Sequence, residues 1–412
     1  MTRYVVIGAG PAGINAASAI RAGDATGEIV VFDREHDRPY YRTELDTYIA
    51  GSTPDSDLPL NPDSYYDEQR IELRLRSVVA RVNIAERRVE LSTGERVAYD
   101  KLLLASGSIP MTLAWPGGDV GGIVTVRTWE DARAVIRHVL ETTKPVLVVG
   151  GGVLGLILAE GIRQRGRSVV LLEKEPRLWA PVLDEPASDR LVQSLAEAGI
   201  VALLDEVVAE IESERGRVTG VRTSKGRRIE TGLIVVAIGV RPDIGFLAGS
   251  GVRTDRGILV DREFRTNAAD VFAAGDAVQA FDFLLGQTRV VTNWVNAVEQ
   301  GRLAGAAMVG QGQPYRGVMV SNSESFCGVR VSVLGITQPT SGGHLVLIGR
   351  DQAKSVYRKL VLQEGRLVGA LLVGNTSGEG MMRKIILDGR AVSPDELKSK
   401  FLPGLGVTEV PA

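Results

Sequence analysis

Two short glycine clusters, each followed by an acid, are the residues in this chain best suited to chemistry. The first runs Gly8-Ala9-Gly10-Pro11-Ala12-Gly13, and Asp33 lies 20 residues past Gly13. The second runs Gly150-Gly151-Gly152-Val153-Leu154-Gly155, and Glu173 lies 18 residues past Gly155. Gly8 and Gly150 permit a tight turn, Gly10 and Gly152 let backbone approach a pyrophosphate, and Gly13 and Gly155 let helix and strand pack closely. A helix opening behind such a turn offers free N–H groups and a positive dipole end to phosphates. The acid accepts hydrogen bonds from a ribose. Glu173 would also repel a 2′-phosphate, which favours NADH over NADPH; the nearby Lys174 and Arg177 weaken that preference.

The elements that must position these residues follow from the hydrophobic pattern. Residues 4–7 are apolar, 14–21 are Ala-rich with helix propensity, and 29–32 are apolar and end in Asp33. This is strand, glycine turn, helix, strand, acid. The pattern repeats from residue 146, with a helix to Arg165 and an apolar run 169–172 before Glu173. The two units start about 140 residues apart, too long a period for a solenoid and suited to two nucleotide-binding domains. Three further apolar runs end in glycine: 101–105 before Ser106-Gly107, 233–238 before Gly239, and 271–274 before Gly275-Asp276. From about Ser323 the pattern changes to strand-like runs at 329–334, 345–348, 355–362 and 367–373. A helix follows over 379–388, and the tail after Leu402 reads as irregular.

Composition narrows the function classes. The chain has 412 residues, 48 basic and 50 acidic, so no global basic field points to nucleic acid. One cysteine, Cys327, excludes a disulfide scaffold and a catalytic dithiol. His36, His138 and His344 are far apart and offer no zinc-type spacing, so no metal is expected. No apolar run reaches the length of a membrane span, and residue 4 enters an apolar strand with no signal-peptide layout before it. A soluble, cytoplasmic protein is expected.

Together these segments resemble the two-dinucleotide-binding-domain FAD/NAD(P)H oxidoreductases of the glutathione-reductase-type fold. The likeness rests on both glycine units, on Leu102-Leu103-Leu104-Ala105-Ser106-Gly107, on residues 235–239 with Arg241-Pro242, and on residues 266–276. Pro39-Tyr40-Tyr41-Arg42 with Leu45, and residues 369–374 with Thr376-Ser377, are similar to the NADH:rubredoxin oxidoreductase and nitrite-reductase NADH-domain branch. The resemblance implies an α/β protein with two Rossmann-like dinucleotide-binding domains, for FAD and NAD, plus a C-terminal α+β domain. Residues 1–112 and 245–322 would bind FAD, 113–244 would bind NAD(H), and 323–412 would form an interface domain, which in this fold often makes a homodimer.

It further implies FAD contacts at Gly8, Gly10, Pro11, Ala12, Gly13, Asp33, Arg34, Arg42, Ala105, Ser106, Gly107, Gly275, Asp276 and Trp294. Asp276 would hydrogen-bond the ribityl and pyrophosphate region, and Trp294 would open a helix whose N-terminus faces the flavin pyrimidine. NAD(H) contacts are implied at Gly150, Gly152, Val153, Leu154, Gly155, Glu173 and Gly239.

Departures from the family pattern shape the functional expectation. Residues 38–50 hold no cysteine where disulfide reductases and the peroxidase branch carry theirs, and Cys327 lies too late in the chain to replace them. Asp46 and Thr47 stand where related ferredoxin reductases place a lysine near the flavin. Ile157 stands where they place a glutamate near the nicotinamide, and Glu160, one helical turn later, is the only catalytic candidate. Without a cysteine relay, the expected protein is an FAD-dependent NADH oxidoreductase exchanging electrons with an iron–sulfur or rubredoxin-type protein on another chain. Two alternatives stand beside it. One is the FAD subunit of a larger iron–sulfur complex, such as a 2-oxoacid:NAD oxidoreductase, that reduces NAD. The other is a non-catalytic, redox-sensing NADH/FAD protein.

Overall fold

The structure is a computed structural model that describes residues 1–340, 342–351 and 353–411. The chain divides into two compact units. One comprises Met1–Leu45, Thr53–Ile109 and Val240–Met319; the other comprises Asp46–Ser52, Pro110–Gly239 and Val320–Ala412.

The first unit is built on a five-stranded parallel sheet. Its strand order is Val271–Ala273, Lys101–Leu104, Arg3–Ile7, Glu28–Phe32, Ile71–Arg74. Val5, Val6, Val31 and Leu102 to Leu104 are fully buried, as expected of parallel strands covered on both faces. The helix Pro11–Gly23 begins with Pro at its first position, where the missing N–H costs nothing. Its small residues allow the helix Trp294–Met308 to lie backbone-close against it. A Cβ on Gly301 would sit 2.1 Å from the Ala12 carbonyl oxygen, and one on Gly305 would sit 2.4 Å from that of Ala16. Larger residues there would force the two helices apart.

In the second unit a five-stranded parallel sheet repeats the arrangement. The order is Ile200–Leu203, Val169–Leu172, Val146–Val149, Leu233–Val236, Ile123–Thr125. The same unit contains a six-stranded antiparallel sheet, ordered Ser321–Phe326, Val329–Gly335, Arg366–Val373, Val356–Gln363, His344–Asp351, Gly406–Pro411. The helices Glu379–Asp388 and Pro394–Phe401 follow Arg366–Val373 in sequence.

Three elements of this region differ from the sequence expectation. Ser321–Phe326 is polar and carries no strand pattern, yet it forms a hairpin with Val329–Gly335. The tail is not irregular: Gly406–Pro411 pairs antiparallel along His344–Asp351, with Leu347 opposite Glu409. Every residue of that edge strand is exposed, so no alternating burial marked it in advance. The helix Pro394–Phe401 is specified locally, by the Ser393 hydroxyl accepting from Glu396 N–H and by Pro at its first turn. Among the described residues no helix is long and apolar enough to cross a membrane.

Candidate functional site

Both glycine loops fold the same way, and the same contacts explain why. Gly8 has φ of 102°, and a Cβ there would lie 2.2 Å from the Ala105 carbonyl oxygen. Gly150 has φ of 115°, and its Cβ would lie 2.4 Å from the Ala237 carbonyl oxygen. Only glycine suits such positions. Cβ atoms on Gly13 and Gly155 would each fall 1.8 Å from the carbonyl oxygen of the first glycine of their own loop. Gly10 and Gly152 are different. Both are helix N-caps in extended conformation, and a Cβ on either meets nothing within 4 Å.

That open space adjoins two helix starts without a side-chain cap and without an acid in the first turn. The helix Trp129–Glu141, by contrast, has a capping box and two acids in its first turn. Pro11-Ala12-Gly13 and Val153-Leu154-Gly155 therefore open helices whose leading N–H groups are left for an anion. The donor set and the cradle fit a dinucleotide pyrophosphate in each unit.

The two acids stand at equivalent places. Asp33 accepts from Ala9 N–H at 2.5 Å and from Glu35 N–H at 2.8 Å. Glu173, only 9% exposed, accepts from Gly151 N–H at 2.5 Å and from Glu175 N–H at 2.8 Å. Each carboxylate is oriented by backbone donors, and each oxygen keeps a further lone pair for a ribose hydroxyl. Gly239, with φ of 110° and open space at its Cβ position, lies just past the strand Leu233–Val236 in the second unit.

Around the first loop the structure gathers residues from distant parts of the chain. Ser106 Oγ donates to the Asp243 carbonyl oxygen at 2.7 Å, Asp243 N–H donates to the Gly107 carbonyl oxygen at 3.0 Å, and Arg34 is ion-paired with the Asp243 carboxylate. Ser108 Oγ donates to Asp276 Oδ2 at 2.9 Å, and Gly275 N–H donates to Gln300 Oε1 at 2.8 Å. A Cβ on Gly275 would reach within 2.8 Å of Ala12 Cβ, so Asp276 sits beside the phosphate-facing helix. Trp294 is the first residue of its helix, which Asn293 caps through Asn296 N–H at 2.8 Å. Its ring lies 5.9 Å from that of Tyr41.

Arg42 donates to Glu35 Oε1 at 2.5 Å and to the Tyr40 hydroxyl at 2.8 Å, while Tyr40 donates to Glu35 Oε2 at 2.8 Å. Burial opposes its charge, but the neighbouring Tyr40 and Glu35 outweigh that and hold the guanidinium more firmly protonated than usual. Glu35 N–H also donates to Asp33, so Arg42 is tied into the same network. Sequence reading missed Ser108, Asp243, Glu35 and Gln300. Their one sequence signal is adjacency to the glycine-ended and Arg-Pro segments, such as Arg241-Pro242 before Asp243.

Glu160 is tied to the antiparallel sheet of its own unit. Its Oε2 accepts from Cys327 N–H at 2.8 Å, and its Oε1 accepts from Gln164 at 3.3 Å. It lies roughly 10 Å along the helix from Val153, at 1.5 Å per residue. The carboxylate anchors the turn of the 326–329 hairpin, where Cys327 and Gly328 have φ of 47° and 80°. Both of its oxygens are thus engaged in hydrogen bonds within its own unit. Burial, with Glu160 alongside, pushes the Cys327 thiol up to about 12, so it is not a thiolate at neutral pH and is unsuited to redox exchange.

Comparison with known proteins agrees with this geometry. Residues 2–301 match the family described as pyridine nucleotide-disulphide oxidoreductase, and residues 325–390 match the rubredoxin NAD+ reductase C-terminal domain. A probable ferredoxin reductase from Castellaniella defragrans is 32% identical over 400 residues, covering 96% of each chain. The epsilon subunit of an NADH-dependent phenylglyoxylate dehydrogenase from Aromatoleum evansii is 30% identical, covering 97% of this chain and 94% of its own. The crystal structure of a covalent putidaredoxin reductase–putidaredoxin complex superposes with a TM-score of 0.90 at 25% identity, covering 98% of this chain and 97% of that one.

Proposed function

Because the chain belongs to the pyridine nucleotide-disulphide oxidoreductase family, we propose that it passes electrons between NAD(H) and a rubredoxin- or ferredoxin-type protein. FAD and NAD(H) are its cofactors. The observation that carries the proposal is the pair of uncapped, acid-free helix starts, one in each unit, each behind a glycine loop with open space at its second glycine. When bound, FAD supplies the conversion between two-electron hydride chemistry and single-electron transfer.

The chain's own residues bind and orient. In the first unit the 8–13 loop, Asp33, Arg34, Arg42, residues 105–107, Gly275, Asp276 and Trp294 are assigned to FAD. In the second, the 150–155 loop, Glu173 and Gly239 are assigned to NAD(H). The corresponding division is 1–112 and 245–322 for FAD, 113–244 for NAD(H), and 323–412 for the C-terminal domain. No cysteine relay takes part, since the chain's single cysteine is Cys327. An NADH-dependent activity supports a cytoplasmic location.

A second reading has one specific support. The Aromatoleum relative is a subunit of a dehydrogenase complex, so this chain could equally serve as a flavin subunit that delivers electrons to NAD. Anaerobic titration separates the two. Bleaching of the flavin by NADH, followed by reduction of an added rubredoxin or ferredoxin, is the expected result. Flavin that stays oxidised with NADH but, once reduced by dithionite, is reoxidised by NAD+ would transfer the conclusion to the second reading. No exchange in either direction would sink both.

Glu173 gives a further expectation. Glu173→Gln keeps one of its two backbone acceptor roles and removes the charge that repels a 2′-phosphate. Relief of roughly 1–2 kcal/mol of repulsion should raise the NADPH-to-NADH ratio of kcat/KM about tenfold. The ratio is the readout because general damage to the loop cancels in it. An unchanged ratio would remove Glu173 from cofactor choice.

A further inference from the structure

The segment 174–184 links Glu173 to the next helix, Glu185–Glu197, and it closes directly on the NAD(H) loop. Trp179 N–H donates to the Gly151 carbonyl oxygen at 2.8 Å, while Gly151 N–H is held by Glu173. Gly151 is thus gripped from both sides. Leu178 is fully buried, and its Cδ2 would lie 2.9 Å from a Cβ on Gly151. Trp179 does this in a left-handed conformation, with φ of 46°, which a bulky residue adopts only when its surroundings over-determine it.

Those surroundings come from the antiparallel sheet of the same unit. The Trp179 ring meets Phe326 edge-on, with centroids 6.2 Å apart. Thr337 Oγ1 donates to the Val182 carbonyl oxygen at 2.7 Å. At the far end of the segment, Asp184 Oδ2 accepts from the Tyr357 hydroxyl at 2.6 Å and from Lys359 Nζ at 3.1 Å. Tyr357 and Lys359 are alternate residues of Val356–Gln363, so their side chains leave the same face of the strand. Lys359 is a buried cation, its side chain 9% exposed, set against the Asp184 carboxylate. A lysine is rarely buried unless it is paired. Asp184 Oδ1 is buried with no hydrogen-bond partner among the described residues, and Lys359 is the cation paired with this carboxylate. Asp184 is also the N-cap residue of the helix Glu185–Glu197.

We infer that Lys359, acting through Asp184, is a positioning residue for NAD(H): the C-terminal sheet holds the 174–184 segment shut on Gly151 and so sets the shape of the dinucleotide loop. This rests on the NAD(H) reading of that loop. Lys359 touches neither the loop nor its ligand. Its removal should therefore weaken nucleotide binding while leaving turnover at saturation intact.

The test uses the FAD-loaded full chain with Lys359→Met, Lys359→Arg and Tyr357→Phe. Steady-state kinetics with NADH and inhibition by ADP-ribose are measured beside flavin content and Tm. For Lys359→Met, the KM for NADH and the inhibition constant for ADP-ribose should both rise about five- to tenfold. The kcat and flavin content should stay within about twofold of wild type. Lys359→Arg should restore both binding constants to within about twofold, and Tyr357→Phe, which loses one hydrogen bond at nearly constant volume, should raise them about two- to threefold. If Lys359→Met does not fold, Tyr357→Phe carries the test. Binding constants unchanged in the variants overturn the inference. So does a fall in kcat and Tm with KM unchanged, which is what a merely structural brace would give. Wild-type protein that binds no ADP-ribose overturns the NAD(H) reading itself, which separates the two failures.

Discussion

Replacing Gly152 with Asp should give a folded, flavin-loaded protein that NADH no longer reduces at a useful rate. Gly152 has φ of −82° and ψ of −177°, which any L-residue adopts, and a Cβ there meets nothing within 4 Å. It is also an N-cap without a side-chain cap, a position where Asp is among the preferred residues. The substitution should thus leave the fold intact or slightly stabilise it. Its effect falls on the ligand. The new carboxylate competes for the N–H groups of Leu154 and Gly155, and it brings a negative charge against the pyrophosphate. Like charges about 4 Å apart repel by roughly 4 kcal/mol at an effective dielectric near 20. Even two-thirds of that lowers kcat/KM for NADH by about a hundredfold. Stopped-flow reduction by NADH measures the loss, while reduction by dithionite checks that the flavin itself is intact. A kcat/KM within about threefold of wild type would show that the pyrophosphate does not lie at this loop.

The equivalent change in the first unit has a different readout. Gly10→Asp should yield a protein that purifies largely without flavin, with affinity for added FAD reduced about a hundredfold by the same charge argument. Gly10 has φ of −69°, caps a helix with no side-chain cap, and has open space at its Cβ position. Circular dichroism and Tm should therefore stay close to wild type. Gly8→Ala would not make this distinction, because its φ of 102° and the Ala105 carbonyl 2.2 Å from the new Cβ would damage the turn as well as the site. If Gly10→Asp retains wild-type flavin content, the assignment of FAD to the first unit falls.

The contrast between Gly10 and Gly8 also shows what kind of information was legible in advance. The spacing of the glycines, Pro11 at the start of its helix, and the acids Asp33 and Glu173 at strand ends are all local features. They depend on backbone conformation over a few residues and on the hydrophobic period of the strands around them, and both are written directly in the chain. The parallel strands could be read because burial on both faces demands an unbroken apolar run.

Other features had no local mark. Ser321–Phe326 is a strand because Val329–Gly335 supplies its partner, and Gly406–Pro411 is one because His344–Asp351 presents an open edge. Both are polar or exposed enough that alternation could not reveal them. Glu160 shows the limit most clearly. Helical periodicity placed it on a plausible face, but that pattern describes only the helix it belongs to. What the carboxylate meets is Cys327 N–H, 167 residues away in sequence.

What sequence set is therefore what depends on short-range geometry: two glycine loops that open helices, an acid oriented beside each, and a single cysteine, Cys327, far from both loops in the chain. Tertiary structure decided which side chains serve as supports. It pairs Arg34 with Asp243, ties Arg42 to Glu35, spends Glu160 on a hairpin, and sets Lys359 against Asp184, 175 residues earlier. The physical reason is that a contact across such separations depends on how the sheets and helices pack, and packing leaves no periodic signal in either segment taken alone.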